Sequence, residues 1–209
     1  IGTSMSFVAV PLNTQKPPTD DLNVRLAIVH AVNYADIDKA VYHGYIVPSV
    51  GPNPIGCLGH NDKLERYNYD PEVAKSYLDK SRYPGGKGAP TLLFTHATDY
   101  PEGRLMAEII QSNLAEIGLK MELKGVTYAV QVSLMSLPGD DPSAPHMGWH
   151  SVSWIPVPSG YAGLWIGKGS SVNWPRYHNP IVDDLAEKAA TEFDEKKRAE
   201  MYIKISEVM

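Results

Sequence analysis

TLLFTHATDYPEGRLMAEIIQSNLAEIGLKMEL, residues 91–123, is the stretch whose reading decides the fold class. Thr91 to Thr95 is a short apolar run suited to a buried strand. Pro101 to Ile117 follows helical spacing, with Leu105, Ile109, Leu114 and Ile117 on or near one face, and Gly118 closes it. Leu119 to Leu123 is the next strand. Strand, helix and strand in this order predict a βαβ unit with a right-handed crossover, and strands alternating with helices indicate an α/β protein.

Towards the N-terminus, Ser6 to Asn13 reads as a strand, with Pro11 suggesting an edge or a bulge. Thr14 to Pro18 reads as a stiff, extended connector. Asp20 or Asp21 caps a helix over Leu22 to Asn33, whose apolar positions Val24, Ala27, Ile28, Ala31 and Val32 form one face. A second helix is expected from Tyr34 to His43, stopped by Gly44. Val47 to Asn61 is a long loop rich in proline and glycine, and loops of that length are commonly functional. Its His60 is the only readily titrated group there, although such loops are more often simply solvated. Asp70 and Pro71 start a helix that runs to about Ser81, with the acid at the N-cap and the proline at the first helical position.

Towards the C-terminus, the spacing predicts a helix over Thr127 to Leu137 and a short strand from His146 to Ser153. Two closing helices follow, Pro180 to Ala190 and Glu195 to Met209. No repeat, low-complexity segment or dividing linker interrupts the chain, so residues 1–209 are expected to form one lobe. The opening IGTSMSFVAV lacks the features of a signal peptide, and the end falls inside a helical pattern. Both ends suggest a lobe excised from a longer two-lobed protein.

Composition narrows the partners. With 43% hydrophobic and 21% charged residues the chain is ordinary globular material. A formal net charge of −5 supplies no basic block for neutralising phosphates, which argues against nucleic acid. No run of 18 apolar residues exists to span a membrane. Cys57 is the only cysteine, which excludes an internal disulfide and a cysteine-based zinc cluster but does not fix the compartment.

Several pieces line up with one family. Leu12-Asn13-Thr14, Pro17-Pro18, Asp21, Val24 to Ile28 and Ala31 to Asn33 form the first. Tyr69 to Glu72 with Ala74, Lys75 and Leu78 forms the second, and Gln111 to Leu114 with Ile117 to Lys120 the third. Gly148-Trp149 is the fourth, and Tyr177, Asn179-Pro180, Asp183 and Leu185 the fifth. In this order the chain resembles extracellular solute-binding family 5, the peptide-type receptors of ABC importers. That family also includes nickel, haem and oligosaccharide binders. The resemblance implies one lobe of a type II periplasmic-binding-protein-like fold, with a central mixed β-sheet flanked by helices. It further implies a non-enzymatic protein without an obligate cofactor, monomeric and periplasmic or extracellular, with or without a lipid anchor. Such a protein captures a peptide or peptide-like solute between two lobes and delivers it to a membrane permease.

The stretch from Ala144 to Pro180 holds all four tryptophans among glycines and prolines. Rigid rings in such a setting suit a ligand-contacting wall, and equally the cap of a core. The candidate ligand-binding residues are His146, Gly148, Trp149, His150, Val152, Trp154 and Asn173. Family resemblance implies an aspartate three residues after the Gly-Trp tryptophan, holding a ligand ammonium, and a second acid before the next proline. Here those positions are Val152 and Ile155. A buried ammonium opposite Val152 would lack a partner, which favours a ligand without that charge or one bound in another pose.

His146 and His150, four apart on the expected strand, would point to the same side as Gly148 and Val152. They could take a ligand carboxylate or hydroxyl, ligate a metal or metal chelate, or be half-buried rings with backbone partners. Trp154 beside Ser153 and Asn173 would suit a sugar ring, whereas Trp165 fits core packing. The pair Asp140-Asp141 is explained as turn and capping groups. No nucleophile elbow, phosphate loop, dinucleotide glycine pattern or zinc-protease motif is present, which argues against an enzyme.

Overall fold

The computed structural model describes residues 7–152, 170 and 172–209. In chain order the elements are β1 (Phe7–Ala9), α1 (Leu22–Ala31), α2 (Tyr34–Val41), α3 (Pro71–Asp79), β2 (Leu92–Ala97), α4 (Pro101–Glu116), β3 (Met121–Val126), α5 (Tyr128–Met135), β4 (Met147–Gly148), β5 (His150–Val152), α6 (Pro180–Thr191) and α7 (Glu195–Val208). The chain packs as two compact units. The larger comprises Ala9–Val47 and Tyr67–His150; the smaller comprises Ile1–Val8, Pro48–Arg66 and Ser151–Met209.

In the larger unit, β2 and β3 pair in parallel from Leu92 opposite Met121 to Ala97 opposite Val126, with α4 as the connection. β4 joins the other edge of β2 in parallel, Phe94 opposite Met147 and Thr95 opposite Gly148. An antiparallel bridge between Leu12 and Met147 makes this sheet mixed. Leu92 and Phe94 are fully buried, each burial contributing roughly 1.5–3 kcal/mol. α1 packs on α3, and α4 packs on β2 and β3.

The inward face of α4 departs from the expected one. Gly103, Met106, Ala107, Ile110, Asn113 and Leu114 are buried, whereas Leu105 is 47% exposed and Ile109 only half-buried. Small and polar residues carry this face because specific partners meet them: the backbone N–H of Asn33 donates to Asn113 Oδ1 at 3.0 Å.

Helix starts follow the sequence closely. Asp21 accepts from the Asn23 N–H at the head of α1, and Asp70 from the Glu72 and Val73 N–H groups at the head of α3. Asn33, Asn179 and Asp194 cap α2, α6 and α7 in the same way. The 14–18 segment, in contrast, is folded into turns and not extended. Asn13 Oδ1 accepts from the Gln15 N–H at 3.0 Å, Thr19 Oγ1 donates to Asn13 O at 2.6 Å, and the Pro17–Pro18 bond is cis. The N-terminal strand is shorter than expected, ending before Pro11, which has no N–H to offer a ladder.

The single strand expected over 146–153 is two strands in two sheets. β4 belongs to the three-stranded sheet, and β5 pairs with β1. Trp149 separates them: its N–H donates to Thr95 O at 3.1 Å, and its carbonyl accepts from Gln131 Nε2 at 2.6 Å. In the smaller unit, α6 packs on α7, burying Val182, Ala189, Tyr202 and Ile205. There the 48–66 loop is tied down by Asn61 Nδ2 donating to Ser206 Oγ at 3.3 Å. His60 Nδ1 lies 2.8 Å from Asn53 O.

Candidate functional site

The carboxyl ends of β2, β3 and β4 lie side by side, and an aromatic residue follows each: Tyr100, Tyr128 and Trp149. The Tyr100 ring sits 5.6 Å from Tyr128, edge on, and 5.3 Å from Trp149. His150 stacks on Tyr128 at 6.1 Å and 10°. Such ring pairs favour offset and edge-on geometries because their faces and edges carry opposite partial charge. Tyr100 is 42% exposed, so the cluster has an open side.

Hydrogen bonds from main chain and side chains tie the three strand ends together. The Thr98 N–H donates to Val126 O at 2.7 Å, and the Tyr128 N–H donates to Asp99 Oδ2 at 2.9 Å. Gln131 Nε2 bridges Thr95 O at 3.0 Å and Trp149 O at 2.6 Å. Each bond crosses from one strand end to a neighbouring element, so the rings are carried on rigid supports.

Trp149 is 2% exposed. Its ring lies over Gly103, where a Cβ would stand 3.0 Å from ring atoms, so a side chain there would press on the indole and require it to give by a few tenths of an ångström. Its Nε1 reaches Tyr42 Oη at 3.5 Å, the outer limit of a hydrogen bond. Burial raises the Tyr42 phenol above its ordinary pKa; the Trp149 bond opposes this and the Glu102 charge adds to it. Gly148 is similarly hemmed in: a Cβ there would meet Met135 Sδ at 2.8 Å and Thr95 Oγ1 at 2.9 Å.

His146 precedes β4. The Leu93 N–H donates to its Nδ1 at 2.9 Å, so the proton sits on Nε2, which reaches Pro17 O at 2.9 Å. Both ring nitrogens are thus engaged with backbone, the third of the arrangements open in the sequence. Burial lowers its pKa, the Pro17 bond opposes, and Lys16 lowers it further. Burial also pushes His150 down, to about 4. The broken strand means that His146 and His150 do not share one face of one strand, as the spacing had predicted.

The structure therefore gathers Gly148, Trp149 and His150 at the carboxyl edge and uses His146 in the framework beside it. Val152 ends β5. Trp154, Trp165, Ser153 and Ile155 lie outside the described residues. Asn173 belongs to the smaller unit, where its amide clasps Tyr177: Nδ2 donates to Tyr177 O at 2.7 Å and Oδ1 accepts from the Tyr177 N–H at 3.1 Å. Asp141 acts as a turn group, its Oδ1 accepting from the Ser143 N–H at 2.7 Å. Among the described residues no three His, Cys, Asp or Glu side chains cluster to hold a metal. Sequence reasoning missed Tyr42, Tyr100, Tyr128 and Gln131. The position of Tyr100 and Tyr128 just after predicted strands was the available signal, since open α/β sheets take ligands outside their strands' carboxyl ends.

The fold of the chain is that of part of a type II periplasmic binding protein. The periplasmic binding protein DppA of Helicobacter pylori, solved in complex with peptide STSA, superposes with a TM-score of 0.88 at 26% identity, over 98% of this chain and 39% of that one. NikA of Staphylococcus aureus, solved with Ni(L-His)2, shares the fold with a TM-score of 0.82 at 21% identity, over 98% of this chain and 43% of that one.

The chain belongs to the bacterial extracellular solute-binding proteins, family 5, whose middle-segment model matches residues 1–171. The dipeptide-binding protein of Escherichia coli K12 is 32% identical over 200 residues, covering 94% of this chain and 37% of that protein. Heme-binding protein A of Haemophilus influenzae is 29% identical over 205 residues, covering 96% and 36%. The chain thus spans little more than a third of the length of these relatives.

Proposed function

We propose that the chain is one ligand-binding lobe of a two-lobed, periplasmic or extracellular receptor. This receptor, lipid-anchored or free, captures a peptide or peptide-like solute and hands it to an ABC permease. It acts as a monomer, by binding and release, without catalysis and without nucleic acid. The observation that carries this reading is the aromatic cluster of Tyr100, Tyr128, Trp149 and His150 at the carboxyl edge of a parallel ladder. Rings on strand ends that are tied together by hydrogen bonds offer contact area at little cost in side-chain entropy. Relatives named for dipeptides, and a neighbour solved with a peptide, make peptides the first solute class to test. Among the described residues no helix is long and apolar enough to cross a membrane.

A second reading rests on Val152 and Ile155, which offer no negative charge where the family resemblance implies acids. It assigns an oligosaccharide or other neutral solute to the same site. The test is thermal unfolding of the full-length two-lobed protein with free-amine peptides, N-blocked peptides, oligosaccharides and divalent metals. A solute that binds only the folded state raises the midpoint, by roughly 2.7 kcal/mol of stability at a hundredfold excess over Kd. A shift with peptides supports the first reading, and a shift with sugars alone supports the second. No shift with any of them removes both.

A further inference from the structure

His146 stands one residue before β4 and joins it to two other parts of the larger unit. Its own N–H donates to Leu93 O at 3.0 Å, and its ring returns the contact, Nδ1 accepting from the Leu93 N–H at 2.9 Å. An imidazole nitrogen can accept there only while it carries no proton. The opposite nitrogen, Nε2, therefore carries the proton and meets Pro17 O at 2.9 Å. Both bonds exist together only in the neutral ring.

Around this ring the 13–17 segment is clasped to the 139–146 turn. Asn13 donates through its N–H to His146 O at 2.9 Å and through Nδ2 to Gly139 O at 2.8 Å. Lys16 Nζ donates to the carbonyls of Asp141, Pro142 and Ala144 at 3.1, 2.9 and 2.7 Å. Three acceptors fix that ammonium where its charge bears on the ring. Burial is the first obstacle to a second proton on His146, and the Lys16 charge adds to it, against the Pro17 bond.

The neighbouring elements offer such a proton little compensation. β2 carries no ionisable side chain from Leu92 to Thr95, and β4 carries none. In the turn, Asp140 is exposed, while Asp141 acts on Lys16 and accepts from the Ser143 N–H. Asp20 and Asp21, beyond the clasp, pair with Arg82. In an open clasp water would solvate the ring, which would then protonate near its ordinary pKa of 6.5. The closed form binds the proton less well, so falling pH favours opening, by up to about tenfold in the opening constant per pH unit.

We propose that this clasp is a latch worked by acidity. When His146 takes a proton on Nδ1 the Leu93 bond breaks, and the 13–17 segment and the 139–146 turn part while β2 and β3 stay paired. β4 leads on to Trp149 and His150, so opening begins at the root of the candidate site. The latch belongs to the fold and does not depend on which solute the lobe takes.

Hydrogen–deuterium exchange of the full-length protein tests it, read by mass spectrometry at about pH 7.5 and about pH 4.5 and corrected for the intrinsic pH dependence of exchange. Peptides spanning 11–20 and 139–148 are expected to lose about tenfold or more of their protection in acid, while the β3 segment 121–126 keeps its own. His146→Gln offers an acceptor to Leu93 and a donor to Pro17 but cannot gain a proton, so its clasp peptides should stay protected at both pH values. Selective 15N labelling of histidine gives a second readout in the wild-type protein, which stands even if the variant fails to fold. The His146 ring should take its second proton over the pH range in which the clasp peptides open. Unchanged protection in acid, or an equal loss in the Gln variant, overturns the proposal. So does a parallel loss in β3, which would make the opening global, and so does a ring that titrates in a different range from the opening.

Discussion

Gln131 is 1% exposed and holds two carbonyls at once, those of Thr95 and Trp149, through a single Nε2. It thereby fixes the point where the chain leaves one sheet and enters another. Replacing it with leucine would leave two buried acceptors without their donor, at a cost of roughly 2–4 kcal/mol. Urea unfolding of Gln131→Leu measures that cost directly; a loss below about 1 kcal/mol would show that the two bonds do not hold the strand break. His146 does comparable work from the other side of β4, with the Leu93 N–H on one nitrogen and Pro17 O on the other. These roles were not legible in the sequence. A buried glutamine on a helix and a histidine near a strand have no local pattern that names their partners, which lie 36 and 18 residues from Gln131 and 53 and 129 from His146.

At the scale of elements, β4 is only two residues long and is held between β2 and α5. Gly148 makes that approach workable, because a side chain there would press on both Met135 Sδ and Thr95 Oγ1. Gly148→Ala is expected to destabilise the protein by roughly 1–3 kcal/mol. The methionine can move and the threonine on the central strand cannot, so adding Met135→Ala should restore only part of the loss. A double-mutant cycle by urea unfolding checks this, and strictly additive effects would mean that the contact is not shared. Elements whose signals are local were legible: the Asp21 and Asp70 caps, Pro71 and Pro180 at helix starts, and the βαβ order of β2, α4 and β3. The inward face of α4 was not, because Gly103 and Asn113 are buried by what packs on them and not by their own hydrophobicity. The same limit applied to the candidate site. Gly148, Trp149 and His150 stand out in the sequence as an aromatic, glycine-bearing run. Tyr100 and Tyr128 join them only once three strands separated along the chain are set side by side.

The whole chain carries a formal charge of −5, yet two uncharged rings are expected to govern its stability in weak acid. Burial depresses the folded pKa of His150 from 6.5 to about 4, and that of His146 moves in the same direction. Below pH 6.5 the unfolded chain therefore takes up protons that the folded chain refuses, and stability falls as pH falls. The contribution is fully present above about pH 6.5 and is lost progressively towards pH 4, amounting to roughly 3 kcal/mol for His150 alone. A carboxylate works in a different window. Burial tends to raise the pKa of Asp21, but the Arg82 and Asn23 N–H groups and the Arg82 guanidinium hold it below 3.8, so its contribution disappears only beneath that value. Urea unfolding from pH 8 to pH 4 should accordingly show a falling free energy across the histidine window. His150→Phe keeps a ring against Tyr128 but has no site for a proton, so its curve should be flatter between pH 6.5 and 4 whatever its absolute stability. A wild-type free energy that stays level across that window would show that neither ring is held neutral by the fold, and parallel curves for the two proteins would take His150 out of the account.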